Sequence, residues 1–443
     1  MKKILVIIIV FVVFLISLLG YIHYYSSNDS YLLPLKKIIP EGIKHNLKKT
    51  IFIVPDLKKK NDYLMGLSKL INKPNDANYV GFSLKKIPLD LYNSKVSNQK
   101  PVAYLETIED KVLLISGNGL TYFFRKEGLK NKENINLFKI ENNLKDLIND
   151  KAFWNFDNTV KHSKDIGIRG ILYFENKIYV SYNKSVTENC YNTSIISADF
   201  NLKSLNFSDF FTYKECVDSK LNPEFNSSQS GGKLKIYNEN NEKKKLLFTI
   251  GEYGNRELAQ DKESLFGKII TIDFENRNYD IFSMGHRNPQ GLFVDEKFII
   301  STEHGPYGGD EINLIKKNKN YGWPLASYGE KYGYNKSEDF SYLKSHKKFN
   351  FVEPIFAFVP SIGISEIVKI PEKFSKKLKN NYFICSLNGK TLYRVIFNED
   401  LEKIISMEPI YIGERIRDIE YDQLNNVFLL ILENTPLLGI LSH

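Results

Sequence analysis

The chain reads as an all-β protein, a propeller or a sandwich, and three observations predict it. From about residue 81 onward, short runs rich in Val, Ile, Leu, Tyr and Phe alternate with turns of Gly, Asn, Asp and Lys, the style of radial or stacked strands. No long amphipathic helical period interrupts them. No glycine-rich turn joins a strand to a helix in the dinucleotide-binding manner, which disfavours a doubly wound nicotinamide or flavin enzyme. The 443 residues exceed an average domain, but closed all-β units use such lengths, so no second domain is demanded.

Taken in order, Met1-Lys2-Lys3 precedes an uncharged apolar run, residues 4–22, long enough at about 1.5 Å per residue to cross a hydrocarbon core of about 30 Å. The run is an export signal or an anchor. Ser17-Leu18-Leu19-Gly20 is a poor cleavage site, and Tyr21, Tyr24 and Tyr25 suit a membrane interface, so the expectation is an uncleaved signal anchor over residues 1–25 with the chain beyond exported. Residues 26–81 lack the strand rhythm: a lysine run at 58–60 and a helix-like stretch at 62–71 read as a juxtamembrane extension. Strands are expected at 112–116, 120–124, 170–174, 177–182, 245–250, 268–273, 297–301, 381–385, 392–397 and 426–432.

Charge and cysteine content exclude more than they specify. The net charge is +9, yet the lysines are scattered and form no stripe with interleaved aromatics, so nucleic acid is not an expected partner. Of three cysteines, Cys190 and Cys216 flank a strand-like segment and could pair in an oxidising compartment; Cys385 reads as a buried thiol.

The densest chemistry lies in residues 285–324, where GHRNPQGL, EHGPYGGDE and NYGWP follow one another. Arg287, Asn288 and Gln290 offer a planar cation and two amides, a set suited to the carbonyls and carboxylates of a flat polar ligand. Gly305-Pro306 turns the backbone and exposes carbonyls, and Asp310-Glu311 add carboxylates, so a hard cation could sit nearby. His286 and His304 show no zinc spacing and are expected to shape these loops.

These three motifs, in this order and spacing, resemble the glucose/sorbosone dehydrogenase family, soluble aldose sugar dehydrogenases that bind pyrroloquinoline quinone (PQQ) and calcium on a six-bladed β-propeller. The resemblance spans about residues 82–440 and includes Gly167-Ile168-Arg169-Gly170-Ile171, Gly231-Gly232-Lys233-Leu234 and Arg415-Ile416-Arg417-Asp418. It implies a six-bladed propeller over residues 82–443, behind the N-terminal transmembrane signal anchor. It further implies that Arg287 lies against the quinone oxygens beside Asn288 and Gln290, and that Arg415 and Arg417, two apart on one strand face, grip cofactor carboxylates. The carbonyls of Gly305 and Pro306 are implied to bind an active-site calcium, and Ala326, Tyr328 and Glu330 a second, structural one.

The sequence departs from the family at the catalytic base. Where the family carries a histidine before its Gly-Gly-Arg-Leu run, this chain carries Gln229, whose amide orients a hydroxyl but takes up no proton near neutral pH. The carboxylate that backs the family histidine is Glu252, one methylene longer than the usual aspartate. A family lysine contacting the cofactor is replaced by Asn388, with Lys390 two residues on. Two functions follow. One is a PQQ- and calcium-dependent oxidoreductase taking a sugar hydroxyl or hemiacetal in the periplasm and passing electrons to a periplasmic or membrane acceptor, with Glu252 as displaced base or with help from His286 or His304. The other is a catalytically silent propeller that binds a ligand or partner.

Overall fold

The computed structural model describes residues 81–89, 102–131, 135–154, 160, 162–239, 243–331, 342–433 and 437–443. The expected anchor and nearly all of the juxtamembrane extension lie outside them. Among the described residues no helix is long and apolar enough to cross a membrane.

The strands form six sheets, each with a core of three or four antiparallel strands in chain order, to which two short parallel strands and the N-terminal strand are added. A lone strand, β1 (Ser83–Pro88), is set aside for closure. The first blade is β2 (Ala103–Ile108), β3 (Lys111–Ser116), β4 (Thr121–Arg125) and β5 (Phe138–Asn142). The second opens with β6 (Ile168–Phe174), β7 (Lys177–Thr187) and β8 (Cys190–Asp199). Short β9 (Ser204–Leu205) then pairs parallel to β5, while β10 (Ser208–Phe211) and β11 (Val217–Asp218) pair with β8. The third blade comprises β12 (Gly231–Glu239), β13 (Lys243–Ile250), β14 (Lys268–Asp273) and β15 (Tyr279–Met284). The fourth holds β16 (Pro289–Val294), β17 (Ile299–Glu303) and β18 (Asp310–Ile315); β19 (Lys319–Asn320) returns to β15, and β20 (Phe356–Phe358) completes the blade. The fifth is β21 (Ile364–Lys369), β22 (Asn381–Ser386), β23 (Thr391–Phe397) and β24 (Ile404–Tyr411). In the sixth, β25 (Ile416–Asp422), β26 (Val427–Leu432) and β27 (Leu437–Ser442) are joined by β1, from Ser83↔Ser442 to Pro88↔Leu437.

The inner strands β2, β6, β12, β16, β21 and β25 pack side by side in cyclic order, which makes the six sheets a closed propeller. Second strands lie between two neighbours and are buried along most of their length, and runs such as 112–116 and Val427–Leu432 are buried throughout. Blade-to-blade burial seals the ring: Leu105, Val112 and Leu114 of the first blade pack with Leu429, Ile431 and Ile440 of the last. Cys190 and Cys216 are disulfide-bonded, tying the start of β8 to the residue just before β11, and Cys385 is a buried free thiol.

Five inner strands carry a register shift near their starts, at one end of the ring. In β6, β16 and β25 the residue skipped by the ladder is Arg169, Gln290 and Arg417, respectively. A bulge leaves one residue unpaired and re-aims its side chain. Here it turns three polar side chains toward the mouth of the ring.

Candidate active site

At that mouth the loops of all six blades surround a cavity of about 800 Å³. Segments at or just before the inner strands line it, together with the turns between second and third strands of five blades (Gly117, Gly254, Gly305, Asn388 and Glu433), which is why residues far apart in sequence meet. Of the residues singled out from the sequence, Gln229, Arg287, Asn288, Gln290, Gly305, Asn388, Arg415 and Arg417 line it. Glu252, Pro306, Ala326, Tyr328 and Glu330 do not.

Arg287 is 6% exposed. One terminal nitrogen donates to the His304 carbonyl (3.1 Å), its guanidinium stacks over Trp323 at 5.3 Å, and among the described residues its buried Nε has no hydrogen-bond partner. A buried donor left unpaired is costly unless a ligand satisfies it. Asn288 is an internal tie: its Oδ1 accepts from Gly231 N (3.0 Å) and Nδ2 donates to the Ser228 carbonyl (3.2 Å). Gln290 accepts from Arg417 through Oε1 at 2.7 Å.

Arg415 and Arg417 share an acid that the sequence did not reveal. Their Nε atoms donate to the two oxygens of Glu433, at 2.7 and 2.5 Å, and Glu433 is 1% exposed. Burial alone would raise the Glu433 carboxyl, but the Arg417 and Arg415 charges outweigh it and hold it below the usual range. Neighbouring Asp418 turns away, accepting from Lys233 Nζ (3.2 Å) and Leu105 N (3.0 Å). No sequence signal marked Glu433, an acid at the end of an apolar strand.

The region around Gln229 is equally specific. Gln229 is half-buried on the cavity wall, and its carbonyl accepts from Tyr253 N. Glu252 lies behind the wall, 1% exposed, its backbone N–H bonded to the Arg287 carbonyl and, among the described residues, both carboxyl oxygens without a hydrogen-bond partner. Burial pushes this carboxyl up to about 7 against the opposing pull of Arg287 and Arg256. His304, on the cavity, is held down to about 4 by burial, against the pull of Asp310 and with Arg287, Arg417 and Arg415 adding to the lowering. Its imidazole is therefore neutral at neutral pH. His286 is fully buried off the cavity, between Glu303 (Nδ1, 3.1 Å) and Ser283 (Nε2, 2.8 Å), where it braces the loops.

A model of the glucose/sorbosone dehydrogenase family matches residues 134–438. The chain belongs to this family. It is 31% identical over 191 residues to an aldose sugar dehydrogenase, YliI, of Escherichia coli, covering 39% of this chain and 50% of that protein. It is 33% identical over 122 residues to quinoprotein glucose dehydrogenase B of Acinetobacter calcoaceticus, covering 20% and 26%. The chain thus matches half the length, or less, of these curated relatives. The fold is shared with the PQQ-bound aldose sugar dehydrogenase of Streptomyces coelicolor, at a TM-score of 0.54 and 18% identity over 83% of this chain and 99% of that one.

The donor sets for the family's two groups fare differently. The unsatisfied Arg287 nitrogen and the cavity-facing guanidinium groups suit an anionic quinone. For calcium, Gly305 brings backbone to the cavity, where a Cβ would stand 2.1 Å from the Gly309 carbonyl oxygen, so only glycine permits this packing of carbonyls. Asp310 is not a spare ligand: its carboxylate accepts from Gly305 N, Ser361 Oγ, Ile362 N and Ile364 N, at 2.9 to 3.1 Å. Among the described residues no cluster of three or more His, Cys, Asp or Glu has metal-binding geometry. The Ala326, Tyr328 and Glu330 loop does not fit a second calcium, because Lys344 Nζ pairs with Glu330 (2.9 Å) and donates to the Gly329 and Tyr328 carbonyls.

Proposed function

We propose that this member of the glucose/sorbosone dehydrogenase family is a PQQ- and calcium-dependent oxidoreductase that oxidises the C1 hydroxyl or hemiacetal of an aldose. The observation that carries this reading is the convergence of Arg287, Asn288, Gln290, Asn388, Arg415 and Arg417, from three blades, on the one cavity that Gln229 also lines. Arg415, Arg417 and Asn388 would hold cofactor carboxylates, Arg287 and the Asn288–Gln290 amides its quinone edge, and the Gly305–Pro306 turn a calcium. When bound, PQQ supplies the hydride acceptor.

The chain's own residues do the rest. The Gln229 amide orients the sugar hydroxyl, and the Arg287 guanidinium stabilises negative charge developing beside it. Glu252, with its affinity for protons poised at neutral pH and no hydrogen bond to hold it, takes the hydroxyl proton through water admitted beside Gln229. The disulfide fits an oxidising compartment. With the apolar run at 4–22 it supports export to the periplasmic side, anchored in the inner membrane, where electrons pass to a periplasmic or membrane acceptor.

A second reading rests on the burial of Glu252 away from the cavity: with glutamine at the wall and its carboxylate behind, the propeller binds its ligand without turnover. Titration of the purified chain with PQQ and calcium, followed by absorbance and by dye reduction with a panel of aldoses, separates the two. Binding with turnover supports the oxidoreductase, binding alone the silent module, and no spectral change removes the cofactor from both.

A further inference from the structure

We propose that Arg169 is an additional anion receptor of the cavity, taking a carboxylate of the bound ligand. Three observations carry the assignment. Arg169 is the bulged residue of β6, as Gln290 is of β16 and Arg417 of β25, so the fold aims it at the same cavity from another blade. Its charge is not compensated. Arg417 and Arg415 share Glu433 and Arg256 pairs with Glu224 at 2.9 Å, whereas among the described residues no carboxylate lies within ion-pair distance of Arg169. Asp165, four residues earlier on the same wall, faces His162 at 4.0 Å.

The side chain is also held in place beforehand. Arg169 Nε donates to Asn183 Oδ1 (2.6 Å) and Nη2 to the Ser227 carbonyl (3.1 Å), both neutral acceptors. Asn183 is fully buried, and its Nδ2 donates to Tyr253 Oη at 2.7 Å; that hydroxyl contacts Thr193 Oγ1 at 2.9 Å. The arginine stem lies over Gly232, where a Cβ would come within 2.3 Å of the Arg169 Cβ. Two nitrogens are thereby fixed by the protein. Among the described residues the remaining terminal nitrogen has no hydrogen-bond partner, on a half-buried side chain that lines the cavity. A fixed, uncompensated guanidinium facing an open cavity is a carboxylate site by its chemistry.

This inference rests on the proposed reading only for the source of the carboxylate, which is either PQQ or an acidic sugar such as a uronic acid. The test uses the full chain and its Arg169→Gln and Arg169→Lys variants, with melting temperature as the check on folding. Binding of PQQ is read by absorbance, and binding of glucuronate and of glucose by calorimetry, with and without PQQ. A rise of about tenfold or more in the PQQ Kd of Arg169→Gln, partly restored in Arg169→Lys, assigns the contact to the cofactor. Unchanged PQQ affinity with loss of preference for glucuronate over glucose assigns it to the sugar. If the wild-type chain binds no PQQ, the quinoprotein reading fails, and the receptor is judged on glucuronate alone. Should folded variants bind both carboxylates as the wild type does, or the wild type bind neither, Arg169 is not an anion receptor.

Discussion

The Lys344 ammonium lies 2.9 Å from Glu330 Oε1 and reaches the carbonyls of Tyr328 and Gly329, so a side-chain cation stands where the family resemblance implies a metal. A dication could bind these oxygens only by displacing a like charge. Both side chains are substantially exposed, so the pair contributes little to global stability. The expected outcome is local: hydrogen exchange at 325–331 does not respond to calcium in the wild type, and Lys344→Ala loosens that segment and makes its protection calcium-dependent. Calcium-dependent protection in the wild type would refute the assignment.

Glu252 gives a pH signature of definite sign. Its folded-state proton affinity is raised from 4.5 to about 7, so the folded chain keeps a proton the unfolded chain has lost, and stability falls as pH rises from about 4.5 and levels off above about 7. Glu252→Gln removes this penalty, on the order of 3 kcal/mol, and the variant should melt higher than the wild type at pH 8 with a smaller difference at pH 5. If Glu252 is the base, kcat/KM rises through pH 7 in the wild type, and the variant loses about 10² to 10⁴ in kcat together with that limb. A silent binder shows the stability change alone.

Glu433 joins two guanidinium groups at the cavity wall, and its lowered proton affinity stabilises the fold above the ordinary carboxyl range, a contribution lost as pH falls through its folded value. Removing one member of a buried charge group costs about 3–5 kcal/mol. Denaturant unfolding of Glu433→Gln should show a loss of that order at pH 7 that narrows in acid. PQQ affinity, if Arg415 and Arg417 hold it, should rise or stay level in the folded variant, because their charge is no longer neutralised.

Much of the scaffold was legible in the residues. Runs such as 177–182 and 268–273 are strands because their apolar density suits sheets buried on both faces, and that property is local. The motif at 285–291 brings Arg287, Asn288 and Gln290 to the cavity together because a tight turn and a bulge fix their directions within a few residues. Glu252 was legible as a carboxylate near Gln229, but not as one closed off behind Arg287. Its burial depends on how the third and fourth blades meet.

What the sequence determined by itself was the family, the all-β rhythm and the identity of the chemical groups, including glutamine where a histidine is expected. The tertiary structure alone decided which charges are spent and which are free. Glu433 neutralises Arg415 and Arg417, Lys233 takes Asp418, Lys344 takes Glu330, and Arg169 is left facing the cavity. The physical reason is that charge compensation acts through space at a few ångströms, and a closed ring of blades brings together residues such as Lys233 and Asp418, 185 positions apart, that no local pattern connects.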